Sequence, residues 1–463
     1  MVYGIYCYSQ TMNKQQRLVL VISVLASFVA FLDGSVVNVA LPAIARTLGG
    51  GLVIQQWVVD GYLLTLGSLI LIAGSLSDLL GRKRILLYGL IGFAASSVLC
   101  ACAPSSGVLI ASRALQGIAG ALLVPSSLAL IIATFSGAAQ GKAIGRWTAW
   151  TGISFIIGPL VGGALVDLGS WRWVFAINVP VIAVTLWLMR RLNLPDETHA
   201  HSRIDWTGAT LCTLGLAGTV FALIEQSSYS WGQPIIRTPF VLGIVMIFGF
   251  IWYERGAKAP MLPLKLFRIR NFSFGNLATT TIYAALSIAT FVLVVFVQQV
   301  GHYSAFAAGL SLLPTTIIMF FLSPRFGALA GKYGPRWFMT AGPIVAATGF
   351  LTMTRVTASV TYWSQLFPGV LLFALGLSMT VAPLTSAVLG DISPENAGIA
   401  SAVNNAIARI AGLLAIALIG VIVGAHITLS GFHRGIVVMA VLLVLGGLIS
   451  AAGIRGQESK ATR

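Results

Sequence analysis

Apolar runs long enough to cross a lipid bilayer recur from one end of this 463-residue chain to the other. A hydrocarbon core about 30 Å thick takes about 20 helical residues. In that medium only helices and closed barrels satisfy every backbone hydrogen-bonding group. Runs of this length fall at 18–41, 53–78, 84–103, 107–134, 143–166, 172–190, 206–226, 237–254, 273–300, 306–324, 336–355, 362–389, 398–424 and 435–454. The spacing predicts an all-α integral membrane protein with fourteen transmembrane helices. Composition agrees, since 57% of residues are hydrophobic and 9% charged, against about 25% charged in ordinary soluble domains.

The net charge of +16 sits in short loops between the apolar runs. That pattern reads as membrane topology and argues against nucleic acid as a partner. With the amino terminus inside, 21 of the 28 Lys and Arg residues are cytoplasmic and 5 lie outside, while Arg113 and Arg409 fall within helices. Such a bias predicts that both termini are cytoplasmic. The four cysteines (Cys7, Cys100, Cys102, Cys212) lack zinc-ligand spacing and form no disulfide framework. The five histidines read as loop or helix-end residues, so neither a metal cluster nor a cofactor site is expected. The first apolar run is too long for a cleavable signal peptide. The opening residues resemble no targeting signal, and Met12 followed by "NKQQRLVLV" would serve as an ordinary start.

The sequence also repeats itself. "GSLSDLLGRKRILLYG" (Gly74 to Gly89) recurs as "GALAGKYGPRWFMTAG" (Gly327 to Gly342) 253 residues later with its glycines matched, and "FSGAAQGKA" corresponds to "DISPENAGIA", Ser136 with Ser393. Two parallel six-helix halves with a helix pair inserted between them fit this duplication. The expected organisation is a cytoplasmic tail at 1–17, a first half at 18–191, inserted helices at 192–255, a linker at 256–272, a second half at 273–454 and a tail at 455–463. The linker is charged and proline-containing, and reads as an amphipathic segment on the anionic inner leaflet.

Ionisable groups inside a bilayer are costly and mark function. Of the twelve acids, only Asp33 and Asp60 fall within the membrane, with Glu225 at the outer end of the seventh span. Counted at 1.5 Å per residue from the outer ends, Asp33, Asp60 and Arg113 share one layer about 10 Å deep. A guanidinium beside one acid holds it as a carboxylate, while an acid buried away from it can keep a proton. That acid is suited to exchanging its proton for a cationic substrate. A static Asp33–Arg113 pair is the plainer alternative. Asn38, Trp57, Gln116, Asn404 and Arg409 are further candidates to line a central cavity. Trp57 can stack on an organic cation or serve as an interfacial belt residue, and Arg409 reads as an inner-side gate or snorkelling residue.

In the loop after the second span, Gly74 and Gly81 permit tight backbone paths, and Asp78 can cap a helix or pair with Arg82 or another helix. In "GPLVGG" (Gly158 to Gly163), Gly158, Gly162 and Gly163 allow close helix approach and Pro159 permits a kink.

These segments, with "LDGSVVNVALP" (Leu32 to Pro42), "RALQG" (Arg113 to Gly117) and "WRWVFAINVP" (Trp171 to Pro180), resemble the major facilitator superfamily, specifically its fourteen-helix drug:proton antiporter-2 family. The resemblance implies proton-coupled export of hydrophobic, often cationic drugs by alternating access, with the "GPLVGG" helix tied to antiport. The chain would work as a monomer on protons and small molecules within the lipid bilayer. An exporter of one metabolite, lipid or antibiotic shares these motifs. A membrane-embedded enzyme would show clustered His, Asp or Cys at one membrane face, and the sequence has none.

Overall fold

Each apolar run closes its own backbone hydrogen bonds, as a bilayer demands. The computed structural model describes residues 12–193, 204–393 and 396–455; the tails before Met12 and after Arg455, and the loop carrying His199 and His201, lie outside them. The helices are α1 (Lys14–Leu48), α2 (Gly51–Leu80), α3 (Arg82–Ala101), α4 (Ser106–Thr134), α5 (Gly137–Leu168), α6 (Trp173–Arg190), α7 (Trp206–Glu225), α8 (Pro234–Glu254), α9 (Arg270–Gln299), α10 (Ala305–Tyr333), α11 (Pro335–Thr352), α12 (Tyr362–Leu389), α13 (Ala397–Val423) and α14 (Leu429–Gly453). Thirteen are long and apolar enough to cross a membrane on that basis alone.

The exception, α11, is carried by packing. A Cβ on Gly376 of α12 would run into the backbone of Gly342 and Ala346, and one on Gly349 would lie 2.7 Å from the Gly369 carbonyl. Glycines seven apart on both helices therefore form a seam that brings the two backbones together. With α11 in place the chain makes fourteen passes, and its described ends lie on one face, called here the terminal face.

The helices outrun the apolar spans that announce them. α1 begins at an Asn13–Gln16 capping box, with Gln16 N–H donating to Asn13 at 2.7 Å and Asn13 N–H to Gln16 at 3.1 Å. It then continues through Pro42 to Leu48. The duplication is visible in the backbone. Gly81, between α2 and α3, has φ 98° and ψ 132°; Gly334, between α10 and α11, has φ 85° and ψ 151°. Both turns need a residue free to take positive φ.

Helices α1–α6 form one half and α9–α14 the other, while α7 packs against α2 and α13 and α8 packs on α7. All hydrogen bonds between the halves, among the described residues, lie on the face away from the termini. Gln298 Nε2 donates to Val39 O at 3.1 Å. Gln56 Nε2 reaches Ile416 O at 2.7 Å and Ala417 O at 3.1 Å. Asp167 accepts from Ala305 N at 3.0 Å and Phe306 N at 2.9 Å. The halves stay together inward as far as Gly67, whose Cβ position lies 3.4 Å from Arg409 Cβ. Beyond that, Gly74, Gly141 and Gly145 of one half and Gly331 and Gly398 of the other meet nothing within 4 Å. The molecule is sealed on one face and parted on the terminal face.

Two local expectations are corrected. Asp78 caps no helix start; it lies in the last turn of α2 and pairs with Arg82 at 3.3 Å. Gly74 sits within α2 beside open space, so no tight path explains it. The linker makes one 3-10 turn, Leu264–Arg268, with Leu266 buried and Phe267 edge-on to Phe272 at 5.1 Å. Its apolar side chains turn into the protein because the second half offers them a core.

Replacing Gly376 by leucine should push α12 off α11. Overpacking of this kind costs about 1–3 kcal/mol, read as a fall in the melting temperature of the purified protein; an unchanged value would mean that the seam tolerates a side chain.

Candidate functional site

The membrane-embedded charges meet because α4 comes close to α2. A Cβ on Gly117 would collide with Thr65 and the carbonyl of Tyr62. Without one, Thr65 Oγ1 donates to Ala114 O at 2.8 Å and Arg113 Nε to Val58 O at 2.9 Å. Arg113 Nη1 then reaches Asp33 Oδ2 at 2.5 Å and Gln116 Oε1 at 2.7 Å. The other Asp33 oxygen accepts from Gln116 Nε2 at 2.9 Å and Asn178 Nδ2 at 3.0 Å. Ser97 Oγ joins both amides, at 3.0 Å from Gln116 and 3.3 Å from Asn178. The guanidinium lies 4.4 Å from the Tyr62 ring centre and 5.6 Å from that of Phe175, a cation–π setting.

The network is dry. Asp33 and Gln116 are 0% exposed and Arg113 1%. A charge pair so placed is tolerable because both Asp33 oxygens accept hydrogen bonds and Arg113 donates three, to Asp33, Gln116 and the Val58 carbonyl. Gln116 therefore belongs to the ion pair and not to a cavity wall.

Asp60 is in the opposite condition. It too is 0% exposed, yet neither carboxyl oxygen has a hydrogen-bond partner among the described residues. Helical spacing fixes where it looks: Gln56, Asp60, Leu63 and Gly67 form one stripe of α2, and Gln56 and Gly67 both touch α13. Trp57, on the adjoining stripe, turns to α7, donating to Glu225 Oε1 at 2.8 Å and packing against Phe221 at 6.2 Å. Asp60 thus sits where α2, α13 and α7 converge, inside the seal between the halves.

A central chamber opens beside this layer. Along α1, Val21, Leu25, Phe28, Phe31, Gly34 and Asn38 are wholly or partly exposed at helical spacing, and exposure stops at Leu41 and Pro42. A Cβ on Gly34 would meet nothing within 4 Å. Phe31 faces Phe155 of α5 at 5.8 Å and the Arg409 guanidinium of α13 at 5.6 Å. The stripe therefore lines the space between the halves, and Asn38 lies at its closed end.

Arg409 is at mid-helix, level with Phe31, and not at the inner rim. It forms no ion pair with a described acid. Asn404 ties α13 to α9 through Asn276 and Thr279, each at 2.9 Å, and Trp57 is held by Glu225; neither is a free cavity side chain. Sequence reasoning missed Asn178, Ser97, Tyr62 and the Trp57–Glu225 bond. The signal for Asn178 was present, a lone amide in "WRWVFAINVP".

"GPLVGG" works at the seal. Side chains on Gly158 or Gly162 would strike Ser35, Val36 and Val39 of α1, and one on Gly163 would strike Phe306 of α10. The Pro159 carbonyl lies against Gly309. The segment is where α1, α5 and α10 close on one another.

Two half-bundles around a chamber sealed at one end, with a buried charge network and a lone acid beside it, define a membrane transporter of the alternating-access type. The Major Facilitator Superfamily profile matches residues 23–416, and the chain belongs to that family. Among curated proteins it is 33% identical to the puromycin resistance protein pur8 of Streptomyces alboniger, over 87% of this chain and 81% of that protein. It is 33% identical to a methylenomycin A resistance protein of Bacillus subtilis (strain 168), over 88% and 87%. A peptide transporter POT crystal structure superposes with a TM-score of 0.72 at 14% identity, covering 97% of this chain and 95% of that one, a likeness of fold.

Arg113→Met should leave Asp33 buried and unpaired, a loss of about 3–5 kcal/mol, and lower the melting temperature sharply. Asp60→Asn, which breaks no bond, should leave it within a few degrees of wild type. Equal falls in the two variants would contradict the contrast drawn between the acids.

Proposed function

We propose that this chain is a proton-coupled exporter of hydrophobic drugs in the bacterial cytoplasmic membrane, working as a monomer with its termini in the cytoplasm. The curated relatives, named for resistance to puromycin and methylenomycin A, support drug export. The Lys and Arg bias supports the orientation, in which the chamber faces the cytoplasm and the seal faces outward.

The observation that carries the coupling is the partnerless burial of Asp60 within the outer seal. An ionised carboxylate there would cost several kcal/mol. α2 closes on α13 only when Asp60 brings a proton. With the outer side open, water reaches Asp60 and supplies that proton; the seal closes and the chamber turns inward. A drug entering beside Phe31, Asn38 and Phe155 loosens the α2–α13 contact, the proton leaves to the cytoplasm, and the charged acid holds the seal open while drug departs outward. Asp33, fixed by Arg113, Gln116 and Asn178, keeps α1, α4 and α6 in register. The Asp78–Arg82 pair occupies Asp78 while the inner side is parted and frees it to bridge the halves when that side shuts.

A second reading rests on Arg409, a cation facing the chamber without a neighbouring acid. It favours neutral or acid-bearing substrates over lipophilic cations, and so an exporter of one antibiotic or metabolite.

Cells lacking other efflux pumps, loaded with ethidium, puromycin or a carboxylate dye, separate these readings under an imposed pH gradient. Asp60→Asn should cut gradient-driven efflux by about two orders of magnitude, matching a cost of about 3 kcal/mol. Full efflux in that variant would remove Asp60 from the coupling. Export of the carboxylate dye alone would select the second reading.

A further inference from the structure

A second cavity lies at the opposite end of the molecule from the chamber mouth, on the sealed face. Its walls include Arg46 of α1, Gly51, Leu52 and Gln55 of α2, Gln299 at the end of α9, and His426 in the turn between α13 and α14. The first half supplies four of these groups and the second half two, so the cavity straddles the seam.

Two features make it positive, and a third leaves a hydrogen-bond acceptor in its wall unpartnered. The 30-residue helix α2 starts here, and its N-cap, Gly50, contributes no side-chain hydrogen bond; the first-turn N–H groups carry the positive end of the helix dipole. Arg46 is exposed and pairs with no described acid, and no carboxylate lines the cavity. Gln55 is only 1% exposed, yet its Oε1 has no hydrogen-bond partner and no bond from its amide nitrogen is found among the described residues. A buried amide without a partner costs free energy, and this one belongs to the cavity wall. Nothing in the seal or in the charge network uses it.

We propose that this cavity binds a small oxyanion that keeps a hydroxyl, hydrogen phosphate, from the outer solution, with its O–H donating to Gln55 Oε1. Arg46 supplies the charge, the α2 N-terminus the aligned N–H donors, and the Gln55 and Gln299 amides and the His426 ring orient the group. Because the donors come from both halves, they converge only while the seal is shut. A ligand that binds one state alone draws the population toward it. The anion therefore holds the chamber inward-facing and slows the outward step, making the site a brake set by the outside solution and separate from the drug chamber.

The test uses the full chain in nanodiscs of neutral phosphatidylcholine, with inorganic phosphate as probe at fixed pH and ionic strength, chloride as control, and melting temperature as readout. Wild type should show a saturable rise. Arg46→Gln and Gln55→Leu should each weaken the apparent affinity by about tenfold or more. Spin labels on the outer ends of α2 and α13 should report a narrower distance distribution with phosphate in wild type only. A parallel sample in phosphatidylglycerol nanodiscs without phosphate identifies the source of the anion: the proposal requires no change there, and the same stabilisation from lipid alone would overturn binding from solution. No phosphate effect in wild type, or an equal effect in Arg46→Gln, would overturn the site itself.

Discussion

A guanidinium and a carboxylate are tolerated within a bilayer only in each other's company, and the arrangement of this protein's first half follows from that condition. Arg113 and Asp33 are joined at 2.5 Å, and satisfying their remaining donors and acceptors draws in Gln116 of α4, Asn178 of α6, the Val58 carbonyl of α2 and, through the amides, Ser97 of α3. One ion pair thus fixes the relative rotation of five helices. Apolar contact between helices in lipid carries little of that information, because lipid tails replace it at small cost. Directional bonds to a dry charge do carry it, since each unmade bond costs its full desolvation penalty.

The seal between the halves is built on the other principle. It consists of close backbone approach at Gly163 and Gly309, the Asp167 carboxylate accepting from the first turn of α10, and two glutamines donating to main-chain carbonyls. None of these is a charge pair, and on separation each group, the Asp167 carboxylate included, meets water. A joint of that kind opens at low cost, whereas the Arg113 network does not. The division between rigid half and breakable seam is therefore a division between a dry ion pair and single hydrogen bonds whose groups water can take up on opening.

The chain of residues announces the passes well because hydropathy over 20 residues is a strong signal, and its internal repeat correctly anticipates the matching turns at Gly81 and Gly334. It also places Asp33, Asp60 and Arg113 at similar depth. Depth alone does not say which acid meets the arginine. That depends on the rotation of α2 against α4, set by the contact of Gly117 with Tyr62 and Thr65, a pairing of positions 52 to 55 residues apart that no local pattern encodes. The bond from Trp57 to Glu225 spans 168 residues and is still less legible. The parted face is hidden for another reason: one sequence must support both openings, so its pattern cannot name either.

The two acids then stand in an energetic relation that gives the proposed cycle its direction. Asp33 is compensated by three hydrogen bonds in the sealed state, so its charge does not resist closure. Asp60 has no such bonds, so its charge does. If burying that lone charge costs about 3 kcal/mol, a single proton shifts the balance between open and closed seals by about a hundredfold, at 1.36 kcal/mol per decade. Reversing a state from 1:99 to 99:1 takes about 5.5 kcal/mol, so the proton supplies about half and the drug, by its preference for one opening, must supply the remainder. Neither acting alone completes the switch, which is the condition for the two fluxes to be coupled rather than to leak.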